Sequence, residues 1–180
     1  MSHALLSKSK ISEKALHAEN KQERLITIGW IVGFVDGEGC FSVSIIHNST
    51  SKLKWQVFPE FVVTQGAKSL SSLKYLQNYF KCGSIVENKR KDNHWESLYK
   101  YCVRSIKDLQ ENIIPFFKVH KLYTAKRNDF KKFERILLLI DKRKHLQMRG
   151  LYQIASIIEK MNRQVPSRLL ESSETVCQTC

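Results

Sequence analysis

Apolar residues along the chain recur with two periods, and the changes between them mark the elements. Residues 1–20 are polar and predict a flexible arm; Asn20 with Glu23 then resembles a helix-start capping pair, and a helix is expected over 21–35. From there the period shortens to two. Phe41, Val43 and Ile45 alternate with Ser42, Ser44 and Ile46, as in a strand with one face on a core and the other turned outward. Residues 48–51 supply a turn. A return strand over 53–64 sets Trp55, Val57, Phe61 and Val63 in one phase and Gln56, Phe58, Glu60 and Val62 in the other. Leu70, Leu73, Leu76 and Phe80 restore helical spacing, closed by Lys81, Cys82 and Gly83, where a positive φ suits a helix end. A second hairpin follows, with strands over 84–88 and 98–104 around the charged loop 89–96, and three helical stretches, 106–117, 124–141 and 146–162, complete the pattern.

This order predicts an α+β domain of the form αββαββα, with helices on one face of an antiparallel sheet and extra helices after it. The outward phase, Ser42, Ser44, Ile46, Gln56, Phe58 and Glu60 with Lys100, Cys102 and Arg104, mixes donors, acceptors and cations. A chain of 180 residues, 42% hydrophobic, forms one compact domain, taken as 21–162 between the arm and a polar tail, 163–180. Thirty Lys and Arg against seventeen Asp and Glu, a formal charge of +13, direct attention to polyanions, nucleic acid first. An anionic membrane comes second, but the longest apolar stretch, 25–35, is too short to cross a bilayer, which needs about 20 residues, and no membrane partner is expected. Five cysteines without an export signal read as reduced thiols, and Cys177 with Cys180 lacks the second ligand pair of a structural zinc site.

The chemistry concentrates in residues 28–39, Ile-Gly-Trp-Ile-Val-Gly-Phe-Val-Asp-Gly-Glu-Gly, which hold four of the seven glycines. Glycine inside a helix costs about 1 kcal/mol against alanine, so Gly29 and Gly33 require a reason. Four residues apart, they share a face on which a second helix could approach closer than the roughly 8–10 Å usual between axes. Asp36 and Glu38 fall at the helix's negative pole, where a carboxylate is disfavoured and a bound cation would reverse the penalty. Two copies packed through the glycine face would set two acidic ends side by side, a place for a hard cation such as Mg²⁺ that serves phosphodiester cleavage. The bland alternative is a glycine turn with surface acids.

Residues 31–39 resemble the LAGLIDADG motif of homing endonucleases, with Gly33, Asp36 and Gly39 identical and Glu38 as the eighth-position acid. The string 33–42, Gly-Phe-Val-Asp-Gly-Glu-Gly-Cys-Phe-Ser, is also similar to intron-encoded members. The resemblance implies that Glu38, with the carbonyl of Gly37, holds the catalytic metal, and that Asp36 is structural at the helix end. It implies that Gln65 arranges active-site water and that a basic residue follows, taken as Lys68. A further lysine falls near 117–121: direct alignment places His120 there, an insertion favours Lys126, and Lys121 is chosen. The helix-pairing face would be Gly29, Val32, Gly33 and Asp36. Beyond the outward phase named above, the DNA-facing set extends to Asn48, Val62, Ser84, Val86 and Asn88.

Leu138-Leu139-Ile140-Asp141 lacks the glycine and second acid of another motif, so the resemblance implies a homodimer on a roughly palindromic duplex site. The implied function is an intron-encoded, site-specific DNA endonuclease using Mg²⁺ or Mn²⁺, with Ca²⁺ binding without supporting cleavage and no small-molecule cofactor. An RNA maturase or an inactive DNA-binding protein of the same fold is the alternative. The compartment is not legible; the resemblance implies an organelle or a bacterial cytoplasm.

Overall fold

The computed structural model describes the backbone of residues 2–88 and 97–161, with side chains from residue 20 onward. The loop 89–96, the tail from 162 and the Cys177–Cys180 pair lie outside the described residues. Helix α1 spans Ser2–Glu38, so the expected arm is drawn into the helix and Asn20 and Glu23 lie within it rather than capping it. The reason is propensity: residues 2–19 hold alanine, leucine, lysine and glutamate and neither glycine nor proline, so a lone Asn followed by Glu does not interrupt the helix.

Strands β1 (Gly39–His47) and β2 (Trp55–Gly66) form the first hairpin, and β3 (Ser84–Asn88) and β4 (Leu98–Val103) the second. They join as one antiparallel sheet in the order β1-β2-β4-β3. Helix α2 (Leu70–Phe80) ends as the sequence implies, with Lys81 at φ 53° and Gly83 at φ 76°. The expected helix 106–117 is broken in register: α3 (Ile106–Asp108) passes through a π turn, Leu109–Ile113, into α4 (Ile114–Val119), with Pro115 at the start of α4. Helices α5 (Lys126–Asp141) and α6 (Met148–Ile158) follow. Among the described residues no helix is long and apolar enough to cross a membrane.

The two-residue phase of the strands assigns the faces. Phe41, Val43 and Ile45 from β1, with Val57, Phe61 and Val63 from β2, are buried beneath the helices. Phe41, fully buried, lies three residues after Glu38, with ring centroids 5.0 Å from Phe61, 5.6 Å from Phe117 and 5.2 Å from Phe130. The strand that leaves the acidic helix end is thereby anchored at once in the aromatic core. Gly39 completes the bend, because a Cβ there would stand 2.7 Å from the Val35 carbonyl oxygen. Phe41→Ala is expected to lower stability by about 3–5 kcal/mol, the usual loss for a core phenylalanine, measured by urea unfolding. A loss below about 1 kcal/mol would mean that this ring does not anchor the strand.

Candidate active site and nucleic-acid interface

Helix α1 turns Ile31, Val32 and Val35 into the core and leaves Gly29, Gly33 and Gly37 exposed, four residues apart in one stripe. A Cβ added at any of these three would meet nothing within 4 Å. Packing within the chain therefore gives no reason for glycine there. On another flank, Trp30 stacks on Phe34 at 4.9 Å and meets Tyr75 of α2 edge-on at 5.1 Å, which fixes the rotation of α1. Beside the stripe lies an open hollow of about 500 Å³ between Leu25, Gly29 and Gly33 on one side and Val119, Lys121 and Tyr123 on the other. Its rim is apolar, with Leu25 60%, Val119 72% and Tyr123 89% exposed.

At the end of α1 the two acids part company. Asp36 accepts hydrogen bonds from the Tyr123 amide at 2.8 Å, the Thr124 amide at 3.1 Å and the Thr124 hydroxyl at 2.6 Å. It thus ties the C-terminus of α1 to the N-terminus of α5, where a carboxylate is electrostatically welcome. The Lys126 ammonium donates to the carbonyls of Val35 at 2.9 Å and Gly37 at 3.0 Å, satisfying acceptors left open at the helix end. Glu38 is exposed, and its charge is felt at Lys126. Half-burial pulls the Lys126 ammonium below its ordinary pKa, a shift that the charges of Asp36, Cys40 and Glu38 only partly offset.

The sequence-predicted residues therefore assemble unequally. Glu38 and Gly37 stand at the helix end as expected, but the Gly37 carbonyl is held by Lys126. Pairing of Gly39 with Val63 carries β2 past the start of β1, so Thr64 and Gln65 run alongside that end, with Gln65 opposite Tyr99. Lys68 follows in a 3-10 turn, Ala67–Ser69. The lysine brought to the acids is Lys126, whereas the chosen Lys121 lines the hollow by Gly29 and Gly33. Asp36, expected on the pairing face, is engaged within its own chain. The roles of Tyr123 and Thr124 had no mark in the sequence beyond a threonine before a helix.

The outward sheet face carries Ser42, Ser44, Ile46, Gln56, Phe58, Glu60 and Val62, joined across the register by Lys100 and by Ser84, Val86 and Asn88 of β3. Several of these are already paired. Arg104 reaches Glu60 from two nitrogens, each at 2.7 Å, and lies 5.7 Å over the Phe58 ring. Asn48 donates to the Gln56 side-chain oxygen at 2.8 Å. Cys102 is a correction to the expected set: it is only 2% exposed and cannot present itself to a base edge. Burial pushes its thiol up to about 11, aided by the Glu60 charge and opposed by Arg104 and Lys100.

An acid-tipped, glycine-striped helix running into a four-stranded sheet is the build of the homing endonucleases. The model of the LAGLIDADG endonuclease family matches residues 31–137, and the chain belongs to that family. It is 32% identical over 142 residues to a probable intron-encoded endonuclease 2 of Neurospora crassa, covering 79% of this chain and 28% of the relative's length. Among solved structures it resembles the homing endonuclease I-TnaI with a TM-score of 0.74 and 37% identity, over 83% of this chain and 97% of that one. It also resembles I-SmaMI, solved on an uncleaved DNA target in the presence of calcium ions, with a TM-score of 0.72 and 34% identity, over 80% of this chain and 47% of that one. The chain thus spans about a quarter of the length of its Neurospora relative and about half of I-SmaMI.

The tie through Asp36 has a pH signature. Burial alone would raise this carboxyl, but hydrogen bonds from Thr124 and Tyr123, with the Lys126 charge, outweigh it and hold the pKa below its ordinary value. A depressed folded pKa adds stability above the unfolded value and loses it as pH falls through the folded one. Asp36→Asn should therefore be less stable than wild type near neutrality, and the gap should shrink as pH falls below about 4. Chemical denaturation at several pH values reads this, and a gap independent of pH would remove charge from the account.

Proposed function

We propose that the chain is a metal-dependent DNA endonuclease that acts as a pair of copies joined through the Gly29 and Gly33 face of α1. Val32, expected on that face, is only 8% exposed and packs into its own core. The observation that carries the reading is the glycine stripe: it has room for a helix, meets nothing of its own chain, and ends at an exposed carboxylate. Two such helices in close contact set two Glu38 side chains near each other at the sheet edge. Among the described residues no three His, Cys, Asp or Glu side chains gather as a metal site in one chain. A second copy supplies the missing carboxylate, and paired oxygens suit a hard divalent ion, Mg²⁺ or Mn²⁺, with Ca²⁺ as a binding ion that does not support cutting. Such an ion, when bound, stabilises the attacking and leaving oxygens of a phosphodiester.

The protein's own groups have separable tasks. Glu38 offers the metal ligand. Lys126 holds the helix end and carries positive charge beside it, Gln65 orients water, and Lys68 offers a further cation near the strand end. The outward sheet face lies in the major groove, where Ser42, Ser44, Gln56, Glu60, Lys100 and Arg104 read base edges. Arg104 arrives already oriented by Glu60 rather than searching among rotamers, and two copies related by symmetry cover roughly 20 base pairs. The relative named above, a probable intron-encoded endonuclease, supports a reading frame inside an intron.

Glu38→Gln should abolish cutting in Mg²⁺ while leaving duplex affinity within a few-fold, since affinity comes from phosphate contacts. Cleavage of a randomised duplex library and an equilibrium binding assay check both halves, and a cutting mutant would exclude Glu38 from the site. Gly33→Leu should give monomers of native circular dichroism that no longer cut. An active Gly33→Leu dimer in analytical ultracentrifugation would contradict the pairing face.

A further inference from the structure

Among the described residues, the strands themselves carry little of the molecule's charge. The four strands, with the Arg104 that follows the last, hold two basic residues, Lys100 and Arg104, and two acids, Glu60 and Glu87. Residues 124–161, by contrast, hold ten Lys and Arg against four Asp and Glu. Duplex affinity comes mainly from cations that displace counterions at phosphates, so strands of no net charge read sequence better than they capture DNA.

The excess is arranged on a surface. Helix α5 buries Phe130, Phe133, Ile136, Leu137 and Ile140 beneath the sheet. Its opposite side exposes Arg127, Lys131 and Arg135 at four-residue steps, about 6 Å along the axis, with Lys142 just beyond the helix end on the same side. Between α5 and α6 this side opens into a groove of about 510 Å³, lined by Lys131, Arg135 and Lys160 with the polar Gln153 and Ser156. Lys132, also at the groove, is taken up by Asp129 at 3.3 Å and by the Lys160 carbonyl. Glu134 is turned to Lys118 at 2.9 Å. Asp129 and Glu134 are thus each paired with another lysine, and among the described residues no ion pair takes up Arg127, Lys131 or Arg135.

We propose that this stripe and groove hold a stretch of duplex DNA by its phosphates, separate from the duplex on the free face of the sheet. A contact made to phosphates alone is independent of sequence. This rests on the sheet face as the site for the first duplex, and it makes each protomer a bridge between two DNA segments on opposite sides.

The test is a bridging assay with two unrelated duplexes of roughly 20 base pairs, one biotinylated and one fluorescent, on streptavidin beads. Wild-type protein should retain the fluorescence. The triple variant Lys131→Gln, Arg135→Gln, Lys160→Gln should retain only the level seen without protein. It should still cut DNA as wild type does, because the sheet face and the acidic end of α1 are unaltered. A control triple variant at exposed Lys21, Lys74 and Lys107 should bridge normally; if it fails equally, net charge and not the groove is responsible, and the proposal is overturned. Should the first triple variant fold poorly, Lys131→Gln alone, at an exposed position, must weaken bridging. Wild-type protein that binds one duplex without bridging would overturn this site and leave the endonuclease reading standing. Protein that binds no duplex would overturn both. Retention of fluorescent single-stranded RNA in place of duplex would overturn the assignment to DNA.

Discussion

Everything at the candidate site depends on the stitch between the end of α1 and the start of α5. A carboxylate at a helix C-terminus is disfavoured, and the sequence places two there. Asp36 escapes by serving the other helix, accepting amide and hydroxyl donors at the N-terminus of α5. The orphan carbonyls of α1 are met by Lys126, a cation supplied by the same α5 turn. The two helix termini neutralise each other, and Glu38 alone stays exposed as an acid available for outside chemistry. Phe41 then locks the emerging strand, so the acid's position is set on both sides by buried or hydrogen-bonded neighbours.

The outward sheet face is similarly organised before any ligand arrives. Glu60, Arg104 and Phe58 form one assembly, and Asn48 with Gln56 another. Side chains held in this way lose less rotamer freedom on binding, which favours discrimination over raw attraction. In the proposed arrangement the basic side of α5, which faces away from the sheet, adds a second place for phosphates. Base reading and phosphate capture are in this account physically separate properties of one small domain.

The strands and their faces were legible because a two-residue period leaves little ambiguity once Phe41, Val43 and Ile45 are seen, and the αββαββα order followed. Elements read from a single local cue fared worse. The Asn20 and Glu23 pair looked like a cap, yet strong helix formers before it carry α1 back to Ser2. The π turn at Leu109–Ile113 has no periodic signature that separates it from an α-helix. The resemblance pointed to Gly37, Glu38 and Gln65, and the structure brings these positions to one end of the sheet, whereas Lys126 could not be separated from Lys121 because the choice depends on how the chain turns after α4. Alternation placed Cys102 on the outward face, but it is only 2% exposed there, which a one-dimensional pattern does not register.

In the proposed dimer the acidic end of α1 becomes a metal site only when two copies meet across the glycine stripe. Titration of Mn²⁺, followed by loss of the free-ion electron paramagnetic resonance signal, tests it most directly when wild type and Gly33→Leu are compared. Wild type should bind Mn²⁺ as a dimer, and monomeric Gly33→Leu, with Glu38 intact, should bind none at that site. Equal Mn²⁺ binding by the monomeric variant would contradict it.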